Sequence, residues 1–171
     1  MENYSSATNI QMRAQTETQI KTELENGHYK IVDEKPFIIS ALGAIHKKQS
    51  KVRLIHDCSR PPGFAVNDFA HPEHFKYQSI TDAIKLITPN CYMAKLDLQN
   101  AYRSVKIHPT NYKATGLKWK FSTDKNFTYM VDTRLPFGAS KSPMTFHRIT
   151  HAGSACDHAT KGISNVNCLP R

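Results

Sequence analysis

Two stretches of this chain gather side chains suited to phosphate chemistry. Leu96-Asp97-Leu98-Gln99-Asn100-Ala101-Tyr102-Arg103 sets one carboxylate at the end of an apolar run, with an aromatic ring five residues later. Leu135-Pro136-Phe137-Gly138-Ala139-Ser140-Lys141-Ser142-Pro143 is a Pro/Gly loop running into a helix start. A lone acid leaving a strand beside backbone carbonyls suits a divalent cation of the kind that bridges a triphosphate. The same Asp97 would equally cap a turn over residues 100–103, and Tyr102 would equally serve as a half-buried ring between sheet and helix. Gly138 permits close approach of backbone to a ligand, and the helix behind Ser140 offers an N-terminus that favours anions. An ordinary loop-to-helix joint uses the same residues. A third group is basic: Lys47, Lys48, Lys51 and Arg53 cluster on a turn and its return strand. Arg offers phosphate a two-pronged fork, whereas Lys acts as a point charge; a solvated basic hairpin is the plainer alternative.

These residues need elements to hold them. Residues 10–26 have helical character, with Ile20 and Leu24 four apart, a Glu17–Lys21 pair and Gly27 as the stop. Residues 37–46 and 52–56 are β-rich around the polar turn Lys47-Lys48-Gln49-Ser50, which predicts a hairpin. Arg60-Pro61-Pro62-Gly63 ends it, and a loop runs on to Tyr77. Ser79 and Asp82 form a capping box ahead of Ile80, Ala83, Ile84 and Ile87 at helical spacing, closed by Pro89. Residues 92–98 alternate as a strand, with Ala94, Leu96 and Leu98 on one face and Lys95 and Asp97 on the other. Val105 and Ile107 suggest another short strand. Leu117, Trp119 and Phe121 alternate with lysines, and Phe127, Tyr129 and Val131 alternate after a turn, giving a second hairpin. Ser140 is expected to open a helix carrying Met144, Phe146 and Ile149, with Pro143 tolerated in its first turn.

At 171 residues and 39% hydrophobic content the chain can bury one real core. Mean hydropathy is −0.52, and no apolar run approaches the roughly 20 residues of a membrane span. The opening Met1-Glu2-Asn3-Tyr4-Ser5-Ser6 lacks the order of a secretion signal. A cytoplasmic or nuclear location without a membrane partner is therefore expected. The four cysteines form no Cys-x-x-Cys pair, so free thiols are expected rather than zinc or disulfides. Cys156-Asp157-His158 is half of a ligand set at best, read here as coincidence. Net charge is +9, and residues 36–171 hold 19 basic and 8 acidic side chains. Such a field attracts phosphate backbones, and interleaving as in Lys118-Trp119-Lys120-Phe121 suits strand and base contact. A merely soluble basic surface has the same composition.

In this order, the segments resemble the polymerase core of reverse transcriptases, most nearly those of retrotransposons of the tyrosine-recombinase (DIRS) type. The resemblance covers about residues 10–150 and also takes in Arg53-Leu54-Ile55-His56-Asp57-Cys58-Ser59-Arg60 and Val66-Asn67-Asp68. It implies an α+β fold, reverse-transcriptase fingers with an incomplete palm. Residues 1–9 would be a disordered start, 10–90 an N-terminal helix with the fingers hairpin, 91–150 a partial palm, and 151–171 a non-matching disordered tail. The implied activity is RNA-directed DNA polymerisation, deoxynucleotidyl transfer onto a primer 3′-OH with two Mg²⁺ ions. By that resemblance Asp97 is the catalytic metal ligand, and Tyr102 lies under the incoming sugar and rejects a ribose 2′-hydroxyl. Lys47 and Arg53 grip the triphosphate, and Phe137 and Gly138 border the incoming nucleotide. The implied partners are an RNA/DNA template-primer and deoxynucleoside triphosphates.

One departure matters. The family carries an aromatic-x-Asp-Asp hairpin after the helix that holds Phe146, and the 25 residues that follow Phe146 here contain no adjacent acid pair. Mg²⁺ needs several anionic oxygens. If that absence withdraws even ~5 kcal/mol of transition-state stabilisation, the rate falls about a thousandfold or more. The expectation is a polymerase fragment inactive by itself. Its rivals are a non-catalytic basic nucleic-acid-binding module and a non-functional transposon remnant.

Overall fold

The structure, a computed structural model, describes residues 1–47, 52–71, 76–93 and 97–161, with the backbone alone for 153–161. The chain divides into two compact units, Met1–Ala70 with Tyr102–Ser142, and His71–Ala101 with Pro143–Arg171.

The first unit is mixed α and β. After a single turn, α1 (Ser5–Thr8), the main helix α2 (Ile10–Glu25) starts where the Asn9 side chain accepts a hydrogen bond from the Met12 N–H at 2.8 Å. It stops at Gly27, whose φ of +65° is the left-handed value that lets the His28 N–H reach back to the Glu23 carbonyl. Met12, Thr16 and Ile20, each four residues apart, form its buried stripe. Glu17 pairs with Arg13 at 3.2 Å, not with Lys21 as expected. The reason is tertiary: the same carboxylate accepts from Trp119 Nε1 and the Ser122 hydroxyl.

Among the described residues five strands follow: β1 (Tyr29–Ile31), β2 (Ala41–His46), β3 (Val52–Asp57), β4 (Gly116–Trp119) and β5 (Thr128–Asp132). β2 and β3 make the expected first hairpin, with Ala41 opposite Asp57 and His46 opposite Val52. Its turn, Lys48 to Lys51, lies outside the described residues. β4 and β5 make the second hairpin, and β1 joins β5 antiparallel to give the order β1-β5-β4. β1 was not foreseen, because three residues are too few to show a period of two. The strand suggested at Val105 and Ile107 is reduced to one bridge, Lys106 to Arg134. Gly116 sits where a Cβ would fall 2.4 Å from the Ile38 carbonyl oxygen, so only glycine lets this strand start against residues 36–38. Trp119, Ile20, Leu42, Leu117 and Met130 are the large side chains sealed in the core.

The expected disordered start is overturned. Ala7 is fully buried, and the first residues run along the outer edge of β2. The Tyr4 N–H donates to the Leu42 carbonyl, the Leu42 N–H to Asn3 Oδ1, and the Ala44 N–H to the Ser6 hydroxyl. Asn3 Nδ2 also donates to the Lys118 carbonyl on β4, so one amide joins both sheets. A short polar segment outweighs its low helical propensity here because the sheet edge needs partners.

In the second unit, α3 (Ile80–Ile84) begins with the expected capping box: the Asp82 N–H donates to the Ser79 hydroxyl oxygen, and the Ser79 N–H to Asp82 Oδ2. It is one short turn, and its apolar side chains Ile80 and Ile84 are exposed. The expected strand 92–98 is not formed at residues 92, 93, 97 or 98, while 94–96 lie outside the described residues. No described strand pairs there, and unpaired backbone does not hold a strand by itself. The last helix, α5 (Ser142–Lys161), starts two residues later than expected and runs ten past His151, where a disordered tail was expected. Residues 162–171 lie outside the described residues. Among the described residues no helix is long and apolar enough to cross a membrane.

Candidate functional site

The β3 strand presents alternate side chains to opposite faces, so Val52, Leu54 and His56 turn inward and Arg53 turns out. The Arg53 guanidinium carbon lies 4.9 Å from the centre of the Phe137 ring, within cation–π range. Tyr102, on the one-turn helix α4 (Ala101–Ser104), stacks on the same Phe137 ring with centroids 5.0 Å apart and planes 29° from parallel. Three of the residues nominated from sequence, lying on three separate segments, thus meet around one aromatic ring. Tyr102 and Phe137 are half-buried and Arg53 is exposed.

Gly138 follows Phe137 with φ +124°. A Cβ there would stand 1.8 Å from the His56 carbonyl oxygen, and the His56 N–H donates to the Phe137 carbonyl at 2.8 Å. The glycine is therefore required by close approach to β3 itself, a reason the sequence did not disclose. Asn67, in the 3₁₀ turn Val66–Phe69, clamps the loop from the other side. Its amide donates to the Gly138 carbonyl at 3.0 Å and accepts from the Ser140 N–H at 2.8 Å. Ser140 is thus held by Asn67 and does not open the helix, while Ser142 Oγ donates to the Pro136 carbonyl.

Beneath this platform lies a buried polar chain that sequence reading missed. Arg103 donates through Nη1 to both oxygens of Asp132, at 2.9 and 2.7 Å, and through Nε and Nη2 to Glu23 at 3.0 and 2.9 Å. Asp132 also accepts from the Arg134 N–H and stands 3.5 Å from His56 Nε2. That nitrogen lies 2.8 Å from the Tyr29 hydroxyl. Burial opposes the Glu23 charge, but Arg103 and the hydrogen bond with His28 outweigh it and lower its pKa. Burial likewise opposes the Arg103 charge, and Asp132 with Glu23 outweighs it, so the guanidinium stays firmly protonated. For His56 burial wins over the pull of Asp132 and lowers its pKa, which makes the ring neutral. Burial also raises the Tyr29 hydroxyl well above its usual value. The one sequence signal was an Asp ending an alternating strand.

The other two nominated residues are described by their own surroundings. Lys47 is exposed just beyond β2, at the edge of the described residues. Asp97 is exposed and belongs to the second unit. Among the described residues no three His, Cys, Asp or Glu converge as a metal site. A magnesium centre draws on several anionic oxygens.

No protein-family model and no curated protein sequence matches the chain. Solved structures do. The native prototype foamy virus protease-reverse transcriptase superposes with a TM-score of 0.67 at 20% identity, over 99% of this chain and 20% of its own. A selenomethionine-labelled mutant of the same viral protein gives 0.67 at 20% identity, over 98% and 22%. A foamy viral protease-reverse transcriptase in complex with double-stranded DNA gives 0.60 at 20% identity, over 97% and 25%. The chain thus spans a fifth to a quarter of the length of these proteins. Over nearly all of its residues this α+β chain has a reverse-transcriptase-like fold.

Proposed function

We propose that the chain is the nucleotide-facing part of an RNA-directed DNA polymerase of retrotransposon type, holding a deoxynucleoside triphosphate against an RNA/DNA template-primer. The observation that carries this reading is the convergence of Arg53 and Tyr102 on the Phe137 ring. In this assignment the exposed Arg53 fork and Lys47 take the triphosphate, Tyr102 lies under the sugar, and Phe137 and Gly138 border the nucleotide. Asp97 contributes one carboxylate toward Mg²⁺. Since Mg²⁺ needs more, nucleotidyl transfer by this sequence alone is not expected, and the remaining carboxylates would come from other polypeptide.

The test has two arms. Primer extension on an RNA template with Mg²⁺ and deoxynucleotides should give no robust synthesis by this chain. Efficient synthesis lost in Asp97→Asn would overturn the assignment of incompleteness. Nucleotide binding should favour dATP over ATP, with Tyr102→Ala removing the preference and Arg53→Ala weakening both. A second reading, a non-catalytic basic nucleic-acid module, is favoured by the excess of basic side chains in residues 36–171. It predicts binding whose log affinity falls with log salt and indifference to Tyr102→Ala.

A further inference from the structure

A buried ion-pair chain needs a reason beyond stability, because charged groups drawn from water roughly break even against well-packed apolar side chains. Glu23, Arg103, Asp132 and His56 come from α2, α4, β5 and β3, four elements of one compact unit. Asp132 is fully buried, and Arg103 and His56 nearly so. Two members of this chain, Arg103 and His56, are tied through the backbone to the two stacked rings. Arg103 directly follows Tyr102, so the fork that grips Asp132 and Glu23 fixes the short helix carrying that ring. His56 donates its N–H to the Phe137 carbonyl, and its own carbonyl fills the space beside Gly138. The Arg103 guanidinium also lies 5.4 Å from the Tyr29 ring centre, which leaves it little freedom to swing.

We infer that Glu23, Arg103, Asp132 and His56 are positioning residues that hold the Tyr102–Phe137 stack in register and thereby set the sugar selectivity of the nucleotide site. The inference deepens the proposed function and rests on it for the word selectivity; the positioning itself stands on geometry alone. The links made by Arg103 and Asp132 are directional. A guanidinium that gives Nη1 to one carboxylate and Nε with Nη2 to another has a single satisfied orientation. A carboxylate that takes both Arg103 and the Arg134 N–H cannot rotate without releasing one of them. A contact between two ring faces sets their register less sharply than a hydrogen bond of fixed direction does.

The experiment uses the full chain with two readouts. The first is the ring-current shift of the assigned Tyr102 and Phe137 side-chain resonances, which reports stacking without any ligand. The second is the ratio of dATP to ATP affinity by equilibrium dialysis. Asp132→Asn should move both rings' shifts toward unstacked values and lower the deoxy preference by about fivefold, the loss expected for one hydrogen-bonded link. Should Asp132→Asn fail to fold, Glu23→Gln, at the half-buried end and retaining an acceptor oxygen, carries the test with a smaller change in the same direction. A variant that melts cooperatively at lower temperature with the ring shifts intact would show a merely structural network and overturn the inference. Ring shifts that move in a protein with no dATP preference even in wild type would instead refute the proposed function and leave the positioning standing.

Discussion

Replacing Gly138 by alanine isolates the contact on which the Phe137 loop depends. The new Cβ would lie 1.8 Å from the His56 carbonyl oxygen, whereas ordinary contact is 3.4–4 Å. The loop and β3 must therefore separate, and the bond from the His56 N–H to the Phe137 carbonyl, 2.8 Å long, cannot survive that movement. Holding a residue with a side chain at φ +124° costs roughly 1–3 kcal/mol. A lost and unreplaced buried hydrogen bond costs about 1–3 kcal/mol more. The expected destabilisation is about 2–6 kcal/mol, a large part of a small unit's total stability. Gly27→Ala is the matched control: φ is also positive, +65°, but nothing lies within 4 Å of the added carbon. It should cost roughly 1–2 kcal/mol, the left-handed penalty alone. Urea unfolding followed by tryptophan fluorescence reads both, since Trp119 is sealed in the same unit, and the shift in midpoint at constant slope gives the difference. If Gly138→Ala costs no more than Gly27→Ala, the close approach to His56 is not how this loop is held.

His56 supplies a pH dependence with a definite sign. Its pKa is lowered by burial from the ordinary imidazole value of 6.5, so below that value the unfolded chain binds a proton that the folded chain refuses. Stability is then fully present above 6.5 and is lost as pH falls beneath it. His147, lowered through desolvation and by its neighbour His151, adds in the same direction. Unfolding free energy measured in steps downward from neutral pH should fall, and His56→Gln should flatten that slope while His147→Gln flattens it less; equal slopes in all three proteins would contradict a buried neutral ring. Thiol chemistry divides the described cysteines. Burial pushes the Cys58 thiol up to about 11, while Cys91 is exposed. Iodoacetamide at neutral pH followed by peptide mapping should modify Cys91 first and Cys58 only on unfolding, and early labelling of Cys58 would show that β3 opens readily.

Much of the first unit was legible because it follows local periodicity. The α2 stripe and both hairpins repeat at 3.6 or 2 residues, and in the second unit the Ser79 capping box is an equally local signal; each formed close to its expected place. Asn3, β1 and the Arg103 chain were not legible, for their partners lie far along the sequence and no period marks them. Asn3 reads as a polar residue near a terminus until Leu42 and Lys118 stand beside it. Arg103 reads as a surface cation until Glu23 and Asp132 enclose it. The reverse failure is the segment at 92–98, where clean alternation predicted a strand that the described residues do not form. Periodicity says which face a residue would take, and a neighbour must exist for the face to matter. Of the nominated residues, Arg53, Tyr102, Phe137 and Gly138 gather in one place, whereas Asp97 falls in the other unit.

The first unit is written in two instalments, with residues 71–101 spliced between them. Its β1 must wait for β5, from Tyr29 to Asp132, before it has a strand neighbour. During synthesis the early half therefore emerges long before its complement, and its assembly is governed by distant encounters, the slow kind. Yet chain closure depends only logarithmically on the intervening length, about 0.6 kcal/mol for each doubling. The excursion between the two halves is thus a place where segments can be gained or shed through evolution with little consequence for the unit that encloses it.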